Sequence, residues 1–186
     1  MLYIYLRLKI LVLKRSAVYT SVLIDDKERC LEIMEKMEEE YGKGSEDYFI
    51  EVLRNEPSLV LRVHAVTILA EVGKDRAVEV LSDVLLHDPD PLVRHEAAFS
   101  MGQIGLSSAN RALAEAMLHD PDPIVRHESA AALGSIGSQS SREYLEMALN
   151  DAEEIVRNSA AASLFNLEFL RRYPNFQPVD SRAPRP

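Results

Sequence analysis

The sequence contains two adjacent His-Glu pairs, His95-Glu96 and His127-Glu128, spaced 32 residues apart. They lie in VRHEAAFSMGQIG, from Val93 to Gly105, and VRHESAAALGSIG, from Val125 to Gly137. Repeated segments ordinarily keep their core residues, so two repeated polar pairs ask for a reason. Imidazole and carboxylate are both metal-ligating groups, so the pairs could be half of a metal site. On a helix each residue turns by about 100°, so His95 falls opposite the stripe Val93, Ala97, Met101 and Ile104. Glu96 lies about 100° round from it. His127 and Glu128 repeat the pattern opposite Val125, Ser129, Leu133 and Ile136. Neighbouring packed helices stand about 8–10 Å apart, within reach for His95 and His127 to lean onto one ion. Small residues at Gly102, Ala131 and Gly134 are expected to leave room above them. On the residues alone two readings stay open: half of a metal site, or surface residues duplicated with the repeat.

Other chemistry has little support. His95 is followed by EAAF and His127 by ESAA, so neither forms the HExxH of a zinc protease. No P-loop, GxGxxG or GxSxG occurs. His87 and His119, in the turn HDPDP, read as structural, and His64 as incidental. Asp90-Arg94 and Asp122-Arg126 read as a stacking ladder between repeats. Cys30 is the only cysteine, which excludes an internal disulfide or a CxxC site and fits a reducing cytoplasm.

These residues are carried by a helical array. LLHDPDPLVRHEAAFSMGQIG from Leu85 recurs as MLHDPDPIVRHESAAALGSIG from Met117. Weaker copies are PSLVLRVHAVTILAEVG, from Pro57, and EEIVRNSAAASLFNL, from Glu153, with Arg62, Arg94, Arg126 and Arg157 marking the register. Each copy follows another helical run, so every unit is helix A, a turn, and helix B. Asp90-Pro91 and Asp122-Pro123 supply an N-cap and a first-turn proline, and Gly105 and Gly137 supply the stop. Single pairs cannot bury their apolar faces alone. The expected fold is all-α, a solenoid of about four helix pairs with an extra N-terminal helix. Residues 45–171 form the array. Residues 25–44 form an amphipathic helix that caps it through Leu31, Met34 and Met37. Residues 172–186 read as a Pro-rich tail.

Of the net charge of −9, residues 1–24 carry +4 and no acid, so the remainder carries −13. An acidic body disfavours nucleic acid and suits a basic protein partner. Arg7 and Lys9 interrupt the apolar N-terminus, which argues against a membrane span or signal peptide. That segment reads as a strand, an interface segment, or residues upstream of the true start.

The helix pairs with VRxxAAxxLGxIG resemble HEAT repeats of the phycobilisome-lyase-like class over about residues 46–171. Within them, the two VRHE segments resemble the His-Glu repeats of the deoxyhypusine hydroxylase family. That resemblance implies a fold of two lobes of four HEAT units, with two irons between the lobes. It implies oxygen activation to hydroxylate a modified lysine on a translation factor. His95, Glu96, His127 and Glu128 match its iron-ligand positions. This chain has two His-Glu pairs where the family uses four, so the resemblance implies a homodimer or a second lobe, with two irons across the interface. Two further readings accompany it. One is a non-catalytic HEAT scaffold binding a protein on its concave face. The other is a bilin-lyase-like subunit, against which the lack of Trp and the remote Cys30 count.

Overall fold

The computed structural model describes residues 27–174. Expectations for residues 1–24, and for the tail beyond residue 174, fall outside them. Among the described residues there are nine α-helices and no strand: α1 (Lys27–Lys43), α2 (Glu46–Asn55), α3 (Leu59–Val72), α4 (Lys74–His87), α5 (Pro91–Ile104), α6 (Asn110–His119), α7 (Pro123–Ile136), α8 (Arg142–Ala148) and α9 (Glu154–Arg172). Short 3-10 turns, Ser107–Ala109 and Gln139–Ser141, lead into α6 and α8. The pairs α2/α3, α4/α5, α6/α7 and α8/α9 are four stacked units, with the B helices α3, α5, α7 and α9 side by side in that order. This is the expected all-α solenoid, and α1 is its extra helix, packed on α3. No helix among the described residues is long and apolar enough to cross a membrane.

Local chemistry sets the ends of the middle B helices. The Asp90 side chain accepts a hydrogen bond from the Leu92 amide, and Asp122 from the Ile124 amide, both at 2.9 Å. Each satisfies a donor that the first helical turn leaves unpaired. Pro91 and Pro123 follow, where no helical N–H bond is lost. Gly105 (φ 76°) and Gly137 (φ 72°) close the same helices in the left-handed conformation, which costs a glycine little. The first and last B helices lack these signals. α3 ends on Gly73 at φ −95°, and α9 starts at Glu153 with no side-chain cap.

The interior is aliphatic. Leu81, Met101, Leu113, Leu133 and Leu145 are fully buried, and among the described residues Phe49 is the one large aromatic that joins them. The apolar stripes read from the sequence are correct: Val93, Ala97 and Met101 are buried in α5, and Val125, Ser129 and Leu133 in α7. On α1, Met37 is buried while Leu31 and Met34 are half-buried. Arg29 grips Glu56 with two hydrogen bonds, and Tyr41 donates to Glu71, so α1 is tied to the array by polar contacts as well.

Adjacent B helices approach closely. A Cβ added at Gly102 would stand 3.0 Å from the Cα of Ala132, and one at Gly134 would stand 2.9 Å from the Cα of Ser163. These glycines therefore admit the next helix and do not open space above the histidines. The helical wheel gave their direction correctly but could not say what faced them.

The arginines that mark the register form the ladder between repeats. Arg62 Nε and Nη2 donate to Asp88 at 2.8 and 3.1 Å, Arg94 to Asp120 at 2.7 and 2.9 Å, and Arg126 to Asp151 at 2.8 and 3.0 Å. The acceptors differ from the expected Asp90 and Asp122, whose carboxylates are committed to capping. Arg94 Nη1 also donates to the Asp88 carbonyl in its own turn, and Arg126 Nη1 to that of Asp120. Arg157, in the last repeat, keeps among the described residues only the carbonyl contacts, to Asp151 and Ala152.

Two predictions follow from this packing. Removing one member of a buried, forked ion pair strands the other charge, which costs about 3–5 kcal/mol. Urea unfolding should therefore show Arg94→Ala losing about that much, while Arg157→Ala loses about 1 kcal/mol, the worth of an ordinary hydrogen bond. Equal losses at the two positions would show that the fork does not hold the repeats together.

The second concerns His64, buried in α3, whose pKa burial pushes down to about 4 from 6.5. The folded state thus binds fewer protons than the unfolded chain between these values. The stability contributed is complete above pH 6.5 and is lost as pH falls through that window. About 2 kcal/mol should go between pH 8 and 5, the span over which the unfolded imidazole takes up its proton. Asp151, held below the usual carboxylate range by Arg126, adds its own loss only at lower pH. Chemical denaturation of wild type and His64→Leu across pH 5–8 reads the difference. An unchanged pH slope in the variant would remove His64 as the cause.

Candidate metal centre

All four candidate ligands sit in the first two turns of α5 and α7, just after the Asp-Pro starts that fix where those helices begin. His95, Glu96, His127 and Glu128 are each half-buried. Two consecutive residues on one helix point in different directions, and here each finds its partner on a neighbouring B helix.

His95 Nε2 stands 3.3 Å from Glu128 Oε2, so the imidazole of one pair meets the carboxylate of the next. Hydrogen bonding to Glu128 raises the His95 pKa above its ordinary value, against the opposing effect of burial. His95 Nδ1 is buried and has no hydrogen-bond partner among the described residues. His127 follows the same one-position stagger: its Nδ1 shares a 2.5 Å hydrogen bond with Ser159 Oγ on α9. Glu96 turns the other way, toward α3, and accepts a 3.1 Å hydrogen bond from the buried Thr67 hydroxyl.

The row therefore pairs the histidine position of each repeat with the glutamate position of the following one. In the first repeat the histidine position holds Val63, which offers no polar atom. Thr67, one helical turn further on, meets Glu96 instead. In the last repeat Ser159 replaces the glutamate and still accepts or donates a hydrogen bond. The sequence showed Ser159 in this register. It gave no hint of Thr67, whose counterparts in the next two repeats are Phe99 and Ala131.

The structure brings His95 and Glu128 together, and places His127 and Glu96 against flanking helices. Among the described residues, no group of three or more His, Cys, Asp or Glu side chains stands close enough to hold a metal ion. The donors suit iron chemically, being two imidazoles and two carboxylates with no thiolate. Of the four, only one imidazole and one carboxylate, those of His95 and Glu128, come together. His87 and His119 stand exposed at the ends of α4 and α6. His87 bonds to Asp83 within its own helix, 2.9 Å away.

One exposed row accompanies the site. Leu92 (51% exposed), Ile124 (46%) and Ile155 (42%) occupy the second position of α5, α7 and α9. Leu92 lies three and four residues before His95 and Glu96, and Ile124 likewise before His127 and Glu128. The apolar row and the polar row thus share one face of the B helices.

Comparison with known proteins agrees with this architecture. The family model described as HEAT repeats matches residues 46–117 and 78–164. No curated protein sequence matches the chain. Among solved structures, human deoxyhypusine hydroxylase in complex with glycerol is similar, at 31% identity and a TM-score of 0.63. The match covers 67% of this chain and 44% of the human enzyme, so the chain spans less than half of that protein's length. With the repeat register, the stacked helix pairs and the matched residues in agreement, the chain belongs to the HEAT-repeat family.

Proposed function

We propose that this chain is one lobe of a deoxyhypusine-hydroxylase-like non-haem iron oxygenase, completed by a second copy of itself or by another HEAT lobe. The observation that carries the reading is the polar row on adjacent B helices: two His-Glu pairs in one register, with His95 meeting Glu128 across the helix contact, in a chain that resembles the human enzyme over less than half its length. His95, Glu96, His127 and Glu128 would hold the metal. Bound iron supplies oxygen activation, and the reaction by resemblance is hydroxylation of a modified lysine on a translation factor. The chain's own part is ligation, partial exclusion of water by half-burial, and positioning. The Glu96 carboxylate, directed away from His95, suits an ion other than the one its neighbour binds. A two-fold axis would double both pairs, because an isologous contact presents the same patch twice. The net charge of −9 favours a basic substrate protein. We place the protein in the cytoplasm, in keeping with its single cysteine.

A second reading is a non-catalytic scaffold. HEAT arrays commonly bind proteins, and the row Leu92, Ile124 and Ile155 favours a basic partner segment with apolar side chains. Metal content separates the two. Anaerobically purified protein should carry about two irons per dimer. Iron should strengthen the dimer, since binding at an interface stabilises it by mass action. Replacing both His95 and His127 with Ala should abolish iron uptake while keeping helicity, each change costing about 1 kcal/mol or less as for partly exposed pairs. Metal analysis and sedimentation at several concentrations test this. A monomer that takes up no iron, alone or with a candidate lobe, would leave the scaffold reading.

A further inference from the structure

The four candidate ligands lie on the two middle repeats, yet two of them are held by hydroxyls from the repeats on either side. Thr67 on α3 reaches Glu96, and Ser159 on α9 reaches His127. The outer repeats carry no His-Glu pair. Each contributes one hydroxyl at the position where the stagger of the B helices brings it against the neighbouring pair. Resting on the iron reading above, we infer that Thr67 and Ser159 are positioning residues that orient Glu96 and His127 for metal binding.

The chemistry of each contact supports this. A metal-ligating histidine is usually fixed by a hydrogen bond from its other ring nitrogen, which sets the tautomer and aims the ring. His127 has its Nδ1 engaged by Ser159, so Nε2 is the nitrogen left for a metal. With Nδ1–H donating to the serine oxygen, the lone pair sits on Nε2, as ligation requires. His95 is turned the other way, with its Nδ1 buried and its Nε2 engaged by Glu128.

Thr67 acts on the carboxylate. Its hydroxyl lies 3.1 Å from Glu96 Oε1 and 3.2 Å from the Val63 carbonyl, and the side chain is fully buried. A hydroxyl has one proton to give, and a bond to an ionised carboxylate is the stronger of the two. A buried donor with few rotamers open to it holds one carboxylate oxygen in a set direction. A valine at this position would keep the shape and lose the donor.

The experiment uses the full chain, ferrous iron and two readouts. Anaerobic titration gives iron affinity for wild type, Thr67→Val, Ser159→Ala and the hydroxyl-keeping variants Thr67→Ser and Ser159→Thr. Nitrogen-15 spectra of the metal-free protein report the His127 tautomer. Thr67→Val and Ser159→Ala should each weaken iron binding about 10–100-fold, the usual cost of losing such a partner. Thr67→Ser and Ser159→Thr should restore it, which mere loss of packing would not predict. In wild type His127 should be the Nδ1–H tautomer, and Ser159→Ala should shift it. Iron binding by wild type with affinity unchanged in both hydroxyl-deleted variants, and the tautomer unmoved, would overturn the positioning role and spare the iron reading. A wild type that takes up no iron at any concentration would overturn both.

Discussion

The forked contact between an arginine at the start of each of the first three B helices and an aspartate in the next repeat's turn sets the geometry of everything else. Asp88 shows why. Its carboxylate takes the Arg62 fork from the preceding repeat and the Asp90 amide from its own turn. Its carbonyl takes Arg94 from the following helix. One residue thus fixes the shape of a turn and the distance between two units. Asp120 repeats the arrangement with Arg94, the Asp122 amide and Arg126. Buried ion pairs of this kind are poor sources of net stability compared with apolar packing. Their use is in specifying one arrangement, because a half-made pair is so costly. The aliphatic core would tolerate some sliding of one helix pair over the next. The forks do not.

That constraint reaches the polar row directly. Arg94 is followed at once by His95 and Glu96, and Arg126 by His127 and Glu128. The fork that docks a B helix also determines the height at which its imidazole and carboxylate meet the neighbour. Close helix approach adds the second condition. Gly102 faces Ala132 and Gly134 faces Ser163, so α5, α7 and α9 run near enough for the short Ser159 side chain to reach His127, and Thr67 reaches Glu96 across the α3–α5 contact. A wider spacing would leave those hydroxyls to water. The His95–Glu128 contact at 3.3 Å depends on the same two conditions.

Much of this was legible in the sequence, and the illegible remainder has a common cause. Asp90, Pro91 and Gly105 could be read because a cap or stop is decided within four residues of chain. The core stripes could be read because periodicity carries them. The ladder's arginines were also visible, but DPDP offers two aspartates, and the choice of Asp88 and Asp120 follows only once Asp90 and Asp122 are assigned to capping. The pairing of His95 with Glu128 was out of reach. It depends on the stagger of two helices, and no local pattern encodes that. The same gap hid the contacts of Gly102 and Gly134, the role of Thr67 and the burial of His64, since a wheel shows direction and not what lies there.

The stagger also explains why the end repeats differ from the middle ones. A row that joins position n of one helix to position n+1 of the next has one unmatched position at each end. A His-Glu pair in the first and last repeats as well would extend the row along every B helix and give no defined site. In the first repeat Val63 breaks it on one side, and in the last Ser159 replaces the carboxylate on the other. Both substitutions remove charge, while a hydroxyl nearby keeps each exposed end of the row hydrogen-bonded. The charged donors are confined to α5 and α7 by what their neighbours lack. A repeat protein built from near-copies obtains a bounded site in this way, with the boundary drawn by side chains that would look unremarkable in any single repeat.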